Sequence, residues 1–364
     1  MENFYELAER MKQIYDALQD EKSREIFWAR LRYDMEAVQR NAFQLEELSE
    51  VYLDSIQACM CDMPDKKMIL YGAGAYGRLV GARILQSGKD FWGYCDQKAE
   101  KETVYVTIQG KEKPVYSPEY LFQSPQDYCV VITATDSFME IMELLWQRQF
   151  PADHILPCIH MKQYFDFPEC FQSGTAFVDI GCCDSMDSIR FAQWSRGKYS
   201  KILAFEPEEA NYKKCLENAQ RAGIQNFEVV EAALSNCAGE QKFTAELGTS
   251  SHLLETTSAT ESLNNKNNLN GVVKTVRICK LDDFTNETTV GFIKMDIEGA
   301  EFDSLQGAQK TIQRDKPLLA ICVYHRRGDV LAIMDYLHSV VPDYRFWLRH
   351  YGPLQNETVL YAAI

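Results

Sequence analysis

The segment FIKMDIEGAE, residues 292–301, decides the fold, because an apolar strand pattern ends here in three carboxylates around a Gly-Ala pair. The apolar residues through Ile297 predict a buried strand, and Asp296 and Glu298 stand where that strand would leave its sheet. The Gly-Ala pair allows a tight turn into the helical pattern that follows. In open α/β sheets, ligands bind beyond the carboxyl ends of the strands, and buried carboxylates without partners are costly. We therefore expect a binding site at this strand end.

Strand and helix patterns alternate along the chain, which predicts an α/β fold with largely parallel sheets. In the C-terminal part the predicted strands are AFVDIG (176–181), KILAFEP (201–207), FEVVEAAL (227–234), FIKMDIE (292–298), LLAICVY (318–324), YRFWLRH (344–350) and TVLYAAI (358–364). Helical patterns are expected between the first five. The last two strands are separated by too few residues for a helix, so they should form an antiparallel hairpin. Five parallel strands completed by a hairpin resemble the Rossmann-like sheet of the class I methyltransferases.

Three regions are expected along the chain. Residues 1–62 carry helical periodicity and predict a helical cap that packs on a neighbouring domain, with a homodimer formed through these helices as the alternative. Residues 63–160 have a β-α-β alternation and predict a smaller Rossmann-like domain. Residues 161–364 carry the second alternation and predict the larger α/β domain.

Composition excludes several classes of function. The chain has 364 residues with 46% hydrophobic and 25% charged residues, which is ordinary for a globular protein. A formal net charge of −15 argues against a nucleic-acid substrate, because phosphate binding needs clustered Lys and Arg. No apolar run is long enough to span a bilayer. The N-terminus does not resemble a secretory signal, and the 12 cysteines form no CxxC pair, so we expect reduced thiols and a cytoplasmic protein.

The first two strands of the larger domain end in residues suited to a nucleoside ligand. Asp179 and Gly181 lie at the first strand-to-helix turn, where glycine lets the backbone approach a ligand, and Cys182, Cys183, Asp184 and Ser185 continue this turn. Glu206 ends the next strand, where a carboxylate can accept hydrogen bonds from both ribose hydroxyls, and Pro207 fixes the turn. The alternative for Asp179 and Glu206 is that they are ordinary helix-capping and surface acids.

From about Gly174 to Ile364 the chain resembles the FkbM-type S-adenosylmethionine-dependent methyltransferases. The resemblance rests on FVDIG, AFEP, EAALS, the KLDDF strand, KMDIEGAEFDSLQGA and the closing ETVLYA. It implies methyl transfer from S-adenosylmethionine to oxygen, on a sugar or other natural-product hydroxyl. It also implies cofactor contacts from Ala232 and Ala233, and from Ser251, for which simple turn chemistry is equally expected. Where relatives carry a small Asn-rich turn, this chain has Cys182-Cys183-Asp184-Ser185, and cysteine is small enough to keep the turn.

Three residues are candidates for catalysis on the acceptor hydroxyl. His325 ends the strand after FIKMDIE and has an ordinary pKa near 6.5, which suits a general base. Asp296 is the alternative base, and Glu298 lies beside it. His325 could instead line the pocket, and the two carboxylates could instead hold Mg²⁺ or Ca²⁺. Because the histidines show no zinc-like spacing, we assign no metal ligands.

The smaller domain carries a second glycine-rich turn. Gly72, Gly74 and Gly77 form a GxGxxG pattern between a strand and a helix, and Asp96 ends the next strand, as in dinucleotide-binding folds. This pattern predicts NAD or a nucleotide-sugar at the turn, unless the fold is retained for structure alone. An NAD(P)- or nucleotide-sugar-binding enzyme or sensor centred on this turn is therefore the alternative function.

Overall fold

A computed structural model describes residues 4–49, 65–99, 104–134, 137–156, 162–245, 252–253 and 272–364. The helices of these residues are α1 (Phe4–Ala17), α2 (Glu21–Met35), α3 (Gln39–Glu47), α4 (Ala75–Gln86), α5 (Pro118–Gln123), α6 (Phe138–Gln147), α7 (Met186–Trp194), α8 (Glu209–Ala222), α9 (Glu301–Gly307), α10 (Gln309–Asp315) and α11 (Asp329–Val340). The strands are β1 (Lys67–Tyr71), β2 (Gly93–Cys95), β3 (Val104–Ile108), β4 (Lys111–Tyr116), β5 (Tyr128–Ile132), β6 (Ile155–Leu156), β7 (Ala176–Ile180), β8 (Ile202–Phe205), β9 (Phe227–Val230), β10 (Ala233–Leu234), β11 (Gly239–Ala245), β12 (His252–Leu253), β13 (Val272–Cys279), β14 (Val290–Met295), β15 (Leu318–Cys322), β16 (Arg345–His350) and β17 (Thr358–Ala363).

The chain divides into two compact units, the larger comprising Met1–Leu48, Tyr164–His350 and Gln355–Ile364 and the smaller Ser49–Gln163 and Tyr351–Leu354. The larger unit is built on a seven-stranded sheet in the order β16-β17-β15-β14-β7-β8-β9. Strands β7, β8, β9, β14 and β15 are parallel, and β17 runs antiparallel to both β15 and β16. Every residue of β7, β14 and β15 is buried, as expected for strands covered on both faces. The predicted class I methyltransferase sheet with a C-terminal hairpin is confirmed.

The described residues between β9 and β14 differ from the sequence expectation. Between β9 and β14 the described residues contain no α-helix but a small sheet in the order β10-β13-β11-β12. The KLDDF segment is not a strand either, since β13 ends at Cys279 and Leu281–Asp283 form a 3₁₀ turn. Strand β13 instead pairs with β11, from Gly239 opposite Ile278 to Ala245 opposite Val272.

The N-terminal helices belong to the larger unit. Leu18, Ile26 and Phe27 are buried in the same apolar core as β7, β14 and α11. Polar contacts fix this packing: Arg10 pairs with Asp335 at 2.6 Å, and Arg349 pairs with Asp20 at 2.7 Å. The predicted cap therefore packs on the C-terminal sheet. Residues 50–62, the rest of the region expected to be helical, lie outside the described residues.

The smaller unit has a six-stranded sheet in the order β3-β4-β2-β1-β5-β6. All neighbours are parallel except the β3-β4 hairpin at one edge. Helix α4 follows β1 through the glycine-rich turn, as predicted. None of the helices in the described part of the chain combines the length and apolar character that a bilayer crossing requires.

Candidate active site

The turns after β7 and β14 press against each other at the carboxyl edge of the larger sheet. Gly181 has φ +76°, and a Cβ there would lie 2.0 Å from the carbonyl oxygen of Asp296. The Asp296 N–H donates in turn to the carbonyl of Ile180 at 3.1 Å. Only glycine fits at position 181, and its presence brings the two carboxylate-bearing strand ends together.

The Cys-Cys-Asp-Ser turn keeps a tight path between Gly181 and helix α7. Cys183 and Ser185 have positive φ, and the Ser185 N–H donates to the Cys182 carbonyl at 2.7 Å. The side chains of Cys182 and Ser185 are buried, and the sulfurs of Cys182 and Cys215 lie 3.3 Å apart. Cys183 and Asp184 are partly exposed, so they are the members of this turn that a ligand could reach.

Glu206 lies directly beside this turn. One carboxylate oxygen accepts the Cys183 N–H at 3.0 Å, and the other accepts the Glu208 N–H at 2.9 Å. A carboxylate oxygen can accept more than one hydrogen bond, and the side chain of Asn211 also donates to this carboxylate. The side chain is buried, and burial raises the pKa of Glu206 to about 7 despite the two N–H donors. An additional pair of hydroxyl donors would stabilise its ionised form.

The remaining cofactor candidates fall into two groups. Pro207 follows Glu206 and is partly exposed, while Ala232 and Ala233 lie on the neighbouring turn, where the Ala232 N–H donates to the Val230 carbonyl at 2.9 Å. Ala232 is fully buried and Ala233 opens β10. Ser251 lies outside the described residues.

Asp179 is fully buried beneath the turn and makes an ion pair that the sequence did not suggest. Lys294, a buried residue of β14, places its Nζ 3.2 Å from Asp179 and 3.3 Å from Asp187, and donates to the Gly181 carbonyl at 2.9 Å. Burial alone would lower the pKa of Lys294, but these carboxylates raise it well above its usual value. The Ser188 hydroxyl donates to the second oxygen of Asp179 at 2.7 Å. Asp179 thus stabilises the turn through Lys294, which also donates to the Gly181 carbonyl, and through Ser188.

Three carboxylates surround His325 at the ends of β14 and β15. Its Nδ1 lies 2.7 Å from Glu301, while its Nε2 lies 3.4 Å from Asp296 and 3.7 Å from Glu298. Burial would lower the pKa of His325, but the hydrogen bond with Glu301 and the charges of all three carboxylates raise it to about 9. At neutral pH His325 is therefore mostly protonated in this structure.

The cluster around His325 also contains residues that sequence reasoning missed. The Tyr164 hydroxyl donates to Asp296 at 2.8 Å, and burial raises the pKa of Tyr164 well above its usual value. Glu301 accepts the Ile297 N–H at 3.0 Å and begins α9. Glu301 was visible as the third carboxylate of FIKMDIEGAE, but the sequence assigned it only to the following helix. Tyr164 lies in the aromatic segment YFDFPECF (164–171), where no local pattern pointed to the site.

The glycine-rich turn of the smaller unit has the predicted shape. Gly72 has φ +119°, and a Cβ on Gly77 would lie 2.0 Å from the Gly72 carbonyl oxygen, whereas a Cβ on Gly74 would meet nothing within 4 Å. Asp96 accepts the N–H groups of Ala73 and Lys98, each at 3.0 Å. These contacts explain Gly72, Gly77 and Asp96 by the packing of the turn itself, whereas packing does not require a glycine at position 74.

The seven-stranded sheet and the residues at its carboxyl edge define a methyltransferase of the class I fold. Residues 179–352 match the family described as Methyltransferase FkbM domain, so this part of the chain is an FkbM methyltransferase domain.

Among solved structures, the chain is similar to a methyltransferase FkbM from Methylobacillus flagellatus KT, at 14% identity and TM-score 0.43, covering 94% of this chain and 99% of that one. It is also similar to an rRNA methylase from Streptococcus thermophilus, at 18% identity and TM-score 0.35, covering 56% of this chain and 93% of that one. A third is the O-methyltransferase from Bacillus cereus in complex with SAH, at 12% identity and TM-score 0.33, covering 63% of this chain and 90% of that one. A comparison with curated proteins found no match. These comparisons do not support NAD or a nucleotide-sugar at the smaller unit.

Proposed function

We propose that this protein transfers a methyl group from S-adenosylmethionine to a hydroxyl group of a saccharide or other glycoconjugate or natural-product precursor. The single observation that carries the cofactor assignment is Glu206, a buried carboxylate at the end of β8 whose two oxygens each accept one backbone N–H. Such a group fits the two vicinal hydroxyls of a ribose, and each charge-assisted hydrogen bond is worth about 1.5–3 kcal/mol.

The neighbouring turn supports the same assignment. Gly181 holds the turn against the backbone of Asp296, and the partly exposed Cys183 donates its N–H to Glu206. We assign the turn 181–185, together with Pro207, Ala232, Ala233 and Ser251, to the cofactor side of the site. When bound, S-adenosylmethionine supplies an activated methyl group on a sulfonium, so the residues mainly have to align the acceptor.

The acceptor side is assigned to Asp296, Glu298 and His325. Asp296 and Glu298 are partly exposed carboxylates that accept hydrogen bonds from O–H groups and would repel an anionic acceptor. Because His325 is mostly protonated in this environment, it is a poor proton acceptor at neutral pH, and we assign it to orientation of the acceptor end instead. The Tyr164 hydroxyl donates to the Asp296 oxygen that does not face His325.

Calorimetric titration with S-adenosylhomocysteine tests the cofactor assignment. We expect the wild-type protein to bind it and Glu206→Gln to bind at least tenfold more weakly, because two charge-assisted hydrogen bonds are reduced to neutral ones. Glu209→Gln is the matched control, since Glu209 lies on the exposed start of α8 and pairs with Lys213. Equal affinity of the wild type and Glu206→Gln would rule out a ribose contact at Glu206. Incubation with labelled S-adenosylmethionine and a panel of saccharide hydroxyl acceptors then tests the acceptor class.

We also propose a location for the protein and a chemical class for its acceptor. The cysteines of the described residues are free thiols, in keeping with the reducing cytoplasm that we propose as its location. The acidic composition makes a small-molecule or saccharide acceptor more plausible chemically than a nucleic acid.

A further inference from the structure

The side chains around His325 have the composition of a metal site. One donor atom from each of Asp296, Glu301 and His325 lies within 4.8 Å of the other two, and Glu298 is adjacent. Three carboxylates in this small volume carry more negative charge than one imidazolium can balance. A divalent cation would offset this charge more completely than a proton.

The buried face of His325 gives an independent reason to expect a ligand. Its side chain is only 6% exposed, yet Nε2 makes no hydrogen bond with any described residue. This nitrogen faces Asp296 at 3.4 Å and Glu298 at 3.7 Å. Those separations are too long for hydrogen bonds but suit neighbouring ligands of one metal ion, whose bonds are about 2.0–2.2 Å long.

Glu301 completes the arrangement from the other side of the imidazole ring. It is 1% exposed, and its Oε1 lies 2.7 Å from His325 Nδ1 and accepts the Ile297 N–H. A carboxylate that holds one ring nitrogen orients the other nitrogen toward a metal and raises its basicity. The second oxygen of Glu301 is buried and has no hydrogen-bond partner among the described residues.

We propose that Asp296, Glu298 and His325 Nε2 bind a divalent cation, which displaces the imidazole proton into solvent, and that Glu301 orients the imidazole ring. The single nitrogen ligand among oxygens favours Mn²⁺ over Ca²⁺, which takes oxygen ligands. Bound at this edge of the sheet, the ion would polarise the acceptor hydroxyl as a Lewis acid. That role rests on the proposed function, whereas binding of the ion does not.

Titration of the chelator-treated full chain with Mn²⁺, followed by the loss of the free-ion electron paramagnetic resonance signal, tests the site. We expect saturable binding of one Mn²⁺ per chain. Asp296→Asn and His325→Ala should each lower the affinity at least tenfold, and Glu301→Gln should lower it by about 10–100-fold, as loss of a supporting carboxylate does. Asp343→Asn is the control, because Asp343 is exposed and remote in sequence from the cluster.

Thermal unfolding of each variant shows whether it is folded. If His325→Ala is unfolded, the near-isosteric Asp296→Asn still tests the site. Weak, non-saturating binding, or equal Mn²⁺ affinity in the wild type and Asp296→Asn, would overturn the proposal. S-adenosylhomocysteine is titrated into the same samples. Cofactor binding without Mn²⁺ binding would refute the metal site alone, and Mn²⁺ binding without cofactor binding would refute the proposed function alone.

Discussion

Glu206 is the residue whose ionisation should control cofactor affinity. Its pKa is raised to about 7 by burial, and ribose hydroxyls would donate to its ionised form. Binding should therefore favour the carboxylate, so affinity for S-adenosylhomocysteine is full above pH 7 and falls below it. Well below the pKa, the loss should approach about tenfold per pH unit, because each binding event must then release one proton.

Calorimetry across this range, in buffers of different ionisation enthalpy, measures both the affinity and the proton released. Glu206→Gln serves as the control, since its amide does not titrate and its weaker affinity should not share the pH dependence of the wild type. A wild-type affinity that is constant from pH 6 to pH 8, around the value of about 7, would contradict this prediction.

Individual site residues differ in how far the sequence could predict them. The positions of Gly181 and Glu206 were predictable, because each directly follows a strand that its apolar residues mark clearly. The role of Lys294 was not, since within β14 it reads as one polar residue in an apolar run. Its charge is acceptable there only because Asp179 and Asp187 come from β7 and α7, and leaving such a buried pair half-formed typically costs about 3–5 kcal/mol.

At the level of elements, apolar strands were predictable and more polar strands were not. The runs that form β7, β14, β15 and β17 are buried along their whole length, so their hydrophobicity alone marks them as central strands. Strands β11 and β13 are more polar, and each becomes a strand by pairing with the other across a long sequence separation. Local pattern contains no signal for such a partner.

Helix α2 should be an integral part of the methyltransferase unit. Phe27 is fully buried in the core shared with β7, β14 and α11, so Phe27→Ala should lower the free energy of unfolding by about 3–5 kcal/mol. Urea unfolding, followed by the fluorescence of the native tryptophans, measures the change. Phe43→Ala on α3 is the matched control, because Phe43 is 45% exposed and its loss should cost little. Equal, small effects of the two substitutions would mean that α2 is only loosely attached.

At the scale of the whole molecule, the cluster around His325 contains residues that are far apart in the chain. Tyr164 and Asp296 are separated by 132 positions, yet their side chains share a hydrogen bond of 2.8 Å. The sheet order, which inserts β14 between β7 and β15, brings Asp296 and His325 together at one edge. Sequence analysis could place each strand end but not the side chains that fold back over it.

Ligand-induced stabilisation of the full chain should distinguish the two nucleotide-binding hypotheses. A ligand at a hundred times its Kd stabilises the unit that binds it by about 2.7 kcal/mol. S-adenosylhomocysteine should therefore raise the unfolding temperature of the larger unit in scanning calorimetry, and Glu206→Gln should remove most of this shift. We expect NAD to leave both units unchanged, because Gly72 and Gly77 are required by packing and Asp96 stabilises the turn through the N–H groups of Ala73 and Lys98. An NAD-dependent shift that Asp96→Asn abolishes would contradict this prediction. The glycine-rich turn would then be a second ligand site, because NAD can raise the unfolding temperature only by binding to the folded unit.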